Sequence, residues 1–205
     1  MIEVEIKVKV EDPHQMRKLF SEHNGEYKIS LQHEDTYLNM PKELRDFKKT
    51  DEALRIRKSV GYNKEEEEPK QKIKYQLTYK GPKMDKTTKT RKELEVELQD
   101  GQTARVIFKA LGFLELFTVK KERELYEFTF QDQKIEALID YIPVLGEYFI
   151  EVECMVRDKG KINELTALLF QFLNQFNIKR EQSIQKSYLE LIADKFKQKS
   201  RKRSH

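Results

Sequence analysis

Charge falls on every second residue in several segments of this chain, and that alternation constrains the fold more than any other feature. Residues 2 to 10 read Ile-Glu-Val-Glu-Ile-Lys-Val-Lys-Val. A strand here carries Ile2, Val4, Ile6, Val8 and Val10 on one face and Glu3, Glu5, Lys7 and Lys9 on the other. The pattern returns with Arg55 and Arg57 between Leu54 and Ile56, and with Lys72, Lys74, Gln76, Thr78 and Lys80 between Ile73, Tyr75, Leu77 and Tyr79. It recurs with Glu93, Glu95 and Glu97 around Leu94 and Val96, with Lys121 and Arg123, and with Glu151 and Glu153 after Phe149. On one strand alone such charges would be the wet side of a sheet. Sorted into acidic strands and basic strands, they predict a binding face. If the strands close into a barrel, that face lines an interior too crowded with charge to be dry.

The charges name their ligand class. Carboxylates on neighbouring strands repel one another unless a cation intervenes, and hard oxygen ligands suit Mg²⁺ or Mn²⁺. Grouped Arg and Lys require a polyanion, so a metal-bound polyphosphate satisfies both sets. Phosphate must be held by side chains, because seven glycines supply no Gly-rich phosphate loop. His14, His23, His33 and His205 have no zinc-site spacing. Ser and Thr occur without a partnering His and acid, which argues against a covalent intermediate.

A length of 205 residues suits one core, and the 37% charged fraction is high for a globular chain. The net charge of +4 is modest and lies largely in the tail, which leaves that tail as the only route to nucleic acid. A lone cysteine, Cys154, no apolar run that could span a membrane and no secretory leader predict a cytoplasmic protein without membrane contact. Oligomeric state stays open, a homodimer included. Asp12-Pro13 starts a helix that Asn24-Gly25 ends and that plugs or flanks the barrel. A second helix runs from Gln102 to Leu111 with Gly112 as its stop, and a third from Lys161 to Phe176. Glu65 to Glu68 before Pro69 read as a solvated acidic hairpin tip, and residues 195–205 as a frayed basic extension.

The charged segments, taken in order, resemble a known family. Glu3-Val-Glu5-Ile-Lys7 is similar to the ExExK signature of the CYTH superfamily, the triphosphate tunnel metalloenzymes, named for class IV adenylyl cyclase and thiamine triphosphatase. Residues 50–57 (Thr-Asp-Glu-Ala-Leu-Arg-Ile-Arg) resemble its second signature, Leu77 to Pro82 its lysine strand, Arg91 to Glu97 its acidic strand and Lys121-Glu122-Arg123 its K-x-R strand. Asp140, Leu145-Gly146 and Glu151-Val152-Glu153 resemble its aspartate and terminal ExE, and Lys186 to Leu191 its closing helix. One residue more than the family pattern after Gly146 leaves open which way Glu151 and Glu153 point. The absence of Trp weakens a thiamine triphosphatase reading, since those enzymes resemble one another in an aromatic platform.

The resemblance implies an α+β fold, a closed antiparallel eight-stranded barrel with flanking helices, over residues 1–193, with a tail over 194–205. It implies an Mg²⁺- or Mn²⁺-dependent enzyme acting on a nucleoside triphosphate or inorganic tripolyphosphate, as a class IV adenylyl cyclase or a phosphohydrolase. A noncatalytic polyphosphate or RNA 5′-end binding module is the alternative. The metal would sit on Glu3, Glu5, Glu95, Glu151 and Glu153, and Glu3, Glu5, Lys7 and Glu153 would be catalytic. Lys7, Arg55, Arg57, Lys80, Arg91, Lys121, Arg123 and Lys186 would grip the triphosphate, with Asp140 orienting one of these cations from behind.

Overall fold

The computed structural model of the chain describes residues 2–41, 43–64, 72–84 and 88–203. The acidic run Glu65 to Glu68, with Pro69, and His205 lie outside the described residues. Eight strands form in chain order: β1 (Ile2–Val10), β2 (Glu26–Asn39), β3 (Ala53–Tyr62), β4 (Lys72–Lys83), β5 (Arg91–Leu98), β6 (Leu114–Phe130), β7 (Gln133–Ile142) and β8 (Glu147–Val156). They pair antiparallel in the closed order β1-β5-β4-β3-β2-β6-β7-β8. The barrel is the one the resemblance implies.

Its packing is inverted relative to a small filled barrel. The apolar faces of the strands point outward and helices cover much of them, although Ile73, Leu94 and Val96 stay more than half exposed. Ile2, Val4, Ile6 and Val8 of β1 and Ile150, Val152 and Cys154 of β8 pack with Phe20 of α1 (Pro13–Glu22) and Leu165, Leu169 and Phe172 of α3 (Ile162–Asn174). Burying aliphatic side chains to this degree contributes about 1.5–3 kcal/mol each, so the main core lies outside the barrel and leaves its interior to the charges. A second helix, α2 (Gly101–Ala110), sets Ala104 and Phe108 against Leu54, Ile56 and Leu77 of β3 and β4.

Asp12 and Gly112 act as the expected start and stop signals, and Asp100 adds a cap that was not expected. The Asp12 carboxylate accepts hydrogen bonds from the backbone N–H of His14 at 2.9 Å and Gln15 at 3.0 Å, satisfying two orphan donors of α1. Asp100 caps α2 through Gln102 N–H at 2.8 Å, and Gly112 ends it at a positive φ of 89°. Helix α1 flanks the barrel rather than plugging it. The β7–β8 ladder pairs Asp140 with Phe149, Leu138 with Glu151 and Glu136 with Glu153 without a register shift. The turn containing Gly146 has a positive φ of 68°, and the unshifted ladder beyond it keeps Glu151 and Glu153 together on the inner face.

The C-terminal expectation is corrected. The last helix, α4, runs from Tyr188 to Arg203, so residues 195–203 continue a helix and are not a frayed extension. Tyr188 and Ile192 pack on Val119, Ile142, Leu145 and Phe149. The Lys195 ammonium donates to the carbonyls of Val144 at 3.1 Å and Leu145 at 2.7 Å, and these bonds hold the helix past Asp194. Among the described residues no helix is long and apolar enough to cross a membrane.

Candidate active site

Three carboxylates meet inside the barrel. Strand pairing sets Glu5 directly opposite Glu153, Glu3 lies two residues along the same face, and one oxygen from each falls within 4.8 Å of the others. Burial pushes the Glu5 pKa up, the charge of Glu151 adds to it, and Lys89 opposes both. Burial and then Glu3 push Glu153 well above the carboxylate range. Glu3 goes the other way: burial alone would raise it, but Lys80, a hydrogen bond with Glu93 and Lys89 hold it below that range. Like charges this close are relieved by protons or by a cation. Three hard oxygen donors at this spacing fit Mg²⁺ or Mn²⁺.

Two expected metal ligands do not join them. Glu151 is occupied by cations, with Lys7 at 3.1 Å, Lys89 at 3.2 Å and the Arg123 guanidinium in contact. Glu95 has a side chain 42% exposed and accepts from Gln76 and Thr78 at 3.0 Å each. The alternation puts Glu95 on the inner face, but β5 pairs with β1 only through Arg91 and Lys92, and Glu95 lies beyond that pairing. Glu93, one pleat nearer, is the β5 carboxylate that reaches Glu3. It is bonded to Lys80 at 2.5 Å, and burial together with Glu3 pushes it up to about 8 against the pull of Lys80.

Beside the carboxylates opens a cavity of about 440 Å³ whose charged wall includes Lys7, Arg55, Arg57, Lys80, Arg91 and Lys121. Glu5 and Glu151 also line it, whereas Glu3, Arg123 and Glu153 lie inside the barrel but outside that lining. Arg55 is buried and donates to Thr78 at 2.9 Å, yet its Nε has no partner, a donor left for a ligand. Arg57 is held by Asp35 through two bonds of 2.6 and 2.8 Å. Lys7 is fully buried; its ammonium donates to the Lys186 carbonyl at 3.2 Å and lies 3.5 Å from the Tyr188 ring centroid. Burial, then the charge of Lys89, push Lys7 down to about 7.

Asp140 lies against two cations of the site, Arg123 and Lys121. It is 0% exposed, binds Arg123 through two bonds of 2.6 Å, accepts from the Tyr188 hydroxyl at 2.8 Å and lies 3.5 Å from Lys121. Lys186 is corrected. Its ammonium is bonded to Asp194 at 2.7 Å with the side chain 58% exposed, and only its backbone reaches the barrel.

Lys89, Asp35, Glu93 and Tyr188 were missed. Asp35 sits on β2, whose sequence Glu-Asp-Thr-Tyr has no clean alternation of charge, and Lys89 lies among threonines ahead of β5. Glu93 carried a signal, its place in the acidic alternation, that was read one pleat too far along. Above the charges the cavity turns apolar, with Leu38, Phe47 and Phe117 facing Ile192 and Phe196 of α4.

A closed eight-stranded barrel with an ionic interior, a carboxylate trio and a cationic wall is the architecture expected from the resemblance of the charged segments. The CYTH domain profile matches residues 1–188, and the chain belongs to that family. It is 39% identical over 191 residues, 93% of this chain and 98% of the relative, to the Methanocaldococcus jannaschii protein named "Putative adenylate cyclase MJ0240". Among solved structures, the PH1819 protein of Pyrococcus horikoshii is 36% identical, with a TM-score of 0.80 over 94% of this chain and 99% of that one. A Hippeastrum protein described as having a dominant triphosphatase activity shares the fold at 17% identity, with a TM-score of 0.62 over 94% of this chain and 95% of that one.

Proposed function

We propose that this chain is a metal-dependent enzyme that processes a nucleoside triphosphate, as a class IV adenylyl cyclase or a triphosphate phosphohydrolase. The observation that carries the reading is Glu5, which belongs both to the carboxylate trio and to the cationic cavity. The trio is thereby placed to share a ligand with the cationic wall. Mg²⁺ or Mn²⁺ on Glu3, Glu5 and Glu153 supplies Lewis-acid polarisation of phosphate oxygens when bound. Arg55, Arg57, Lys80, Arg91 and Lys121 grip the phosphate chain and offset charge developing on the leaving group. Asp140 fixes Arg123, and Asp35 fixes Arg57, so that neither guanidinium needs reorganising.

The apolar upper cavity supports a substrate with an organic part over bare tripolyphosphate, because Phe47, Phe117 and Phe196 give a base or ribose something to pack against. The cyclase arm draws on the name of the M. jannaschii relative. A binding module without turnover is disfavoured, since a pure anion site has no use for three clustered carboxylates. The deciding experiment is product analysis with ATP and Mn²⁺. Cyclic AMP with pyrophosphate assigns a cyclase, ADP with phosphate assigns a hydrolase, and unconverted ATP at saturating metal would sink the enzymatic reading.

A further inference from the structure

Lys89 follows no alternation, yet its ammonium lies where the two ionic sets of the site touch. It donates to Glu5 and, at 3.2 Å, to Glu151, with a side chain 11% exposed. The backbone binds the same strand: Lys89 N–H donates to the Glu5 carbonyl at 3.0 Å. Its neighbours Thr88 and Thr90 are buried, with their hydroxyls 2.7 Å apart. The base of the side chain is therefore fixed while the ammonium ends a flexible four-carbon stem. That stem lines the cavity together with Arg55, Arg57 and Lys80.

The partners of the trio differ. Glu3 has Lys80 at 3.4 Å as well as Glu93, and among the described residues no ion pair reaches Glu153. Lys89 is the cation on Glu5, the one trio member that also lines the cavity. A divalent cation ligated by Glu5 must displace this ammonium or accept its repulsion at close range. A triphosphate in the cavity offers the same ammonium a second anionic partner within reach of its stem.

We propose that Lys89 is a positioning residue that couples the two ligands: it occupies Glu5 as an internal counter-ion until a triphosphate draws it into the cavity and frees Glu5 for the metal. The proposal rests on the metal-dependent reading above. Because coupling between two ligands is reciprocal, each tightens the other. Part of that coupling exists only through Lys89, the remainder arising wherever metal and phosphate touch directly.

The test measures Mn²⁺ binding alone, by electron paramagnetic resonance of the free ion, in wild type, K89M and K89Q. Without triphosphate, Mn²⁺ should bind about tenfold more tightly to both variants. The extra tightening produced by a non-hydrolysable ATP analogue should shrink. Tighter Mn²⁺ binding with undiminished tightening by the analogue would show charge repulsion without coupling, and that result, or unchanged or weaker Mn²⁺ binding, overturns the proposal. Wild-type protein gives a second readout that needs no substitution. Mn²⁺ should speed modification of Lys89 by an amine-reactive reagent, followed by peptide mass spectrometry, and an unchanged rate overturns the proposal. Absence of Mn²⁺ binding from all three proteins would overturn the metal reading together with this inference, whereas equal binding by all three would overturn this inference alone.

Discussion

Lys121 shows how burial changes what a cation does. Enclosure in the barrel, followed by the charge of Arg123, pushes it down to about 8. In the unfolded chain it keeps its proton to about 10.4. The cost of enclosing the charged form is therefore fully present below about 8 and is relieved as pH rises from there towards the unfolded value. Function moves the opposite way. The cavity wall loses a positive charge as pH climbs through about 8, so metal-free binding of tripolyphosphate should weaken there. Lys121→Arg, charged throughout this range, should shrink the inflection in a calorimetric titration series, leaving the contributions of Glu93 and Lys7. An inflection of undiminished size would place the titrating group elsewhere. The acids and the other cations are separable in the same way. Glu5→Gln should raise the Mn²⁺ concentration needed for turnover, and Arg57→Ala should weaken triphosphate binding even at saturating Mn²⁺. Full rescue of Arg57→Ala by excess metal would refute that division of roles.

At the scale of elements, α4 carries more of the site than its sequence suggested. Tyr188, Ile192 and Phe196 recur at four-residue spacing and line one side of the cavity. Phe196 meets Phe117 edge-on at 6.2 Å. The basic residues after Asp194 led to the expectation of a frayed extension, but the Lys195 bonds to Val144 and Leu145 and the contact of Phe196 with Phe117 hold it against the barrel. Ending the chain after Asp194 should raise KM for ATP severalfold, since a stacking contact between Phe196 and the base would contribute about 0.5–1.5 kcal/mol beyond its area. The same truncation should leave KM for inorganic tripolyphosphate nearly unchanged. Equal losses for both substrates would mean that α4 supports the barrel and does not contact an organic group.

The whole molecule keeps its main apolar core outside the barrel and its ionic groups inside, and its stability should report on the interior. Occupying a site at about 100 times its dissociation constant stabilises a fold by about 2.7 kcal/mol. For a chain of this size that corresponds to a rise in Tm of about 5–11 °C. Mn²⁺ should produce such a rise in wild type. Glu153→Gln should melt no lower than wild type in chelator, because burial and Glu3 already push the Glu153 pKa well up, a sign of unrelieved repulsion. The variant should also lose most of the Mn²⁺ effect. A Glu153→Gln protein that melts lower in chelator yet keeps the full rise would remove Glu153 from the metal site.

Alternation along the chain determined which residues are strands and which face of each strand is charged, because a period of two is a local property of the backbone. It was enough to assign Glu3, Glu5, Lys7, Arg55, Arg57, Lys80 and Arg123 to one interior. The cap at Asp12 determined where α1 begins. Which charge meets which was decided only by closure of the barrel, since register and stagger depend on how every strand is slid against its neighbours. That is why Glu93 displaces Glu95, why Glu151 is taken up by Lys7, Lys89 and Arg123, and why Lys186 offers its carbonyl and not its ammonium. Asp35 and Lys89 lie in segments without alternation, so no periodic signal marked them. They became part of the site when β2 paired with β3 and the residues ahead of β5 docked on β1.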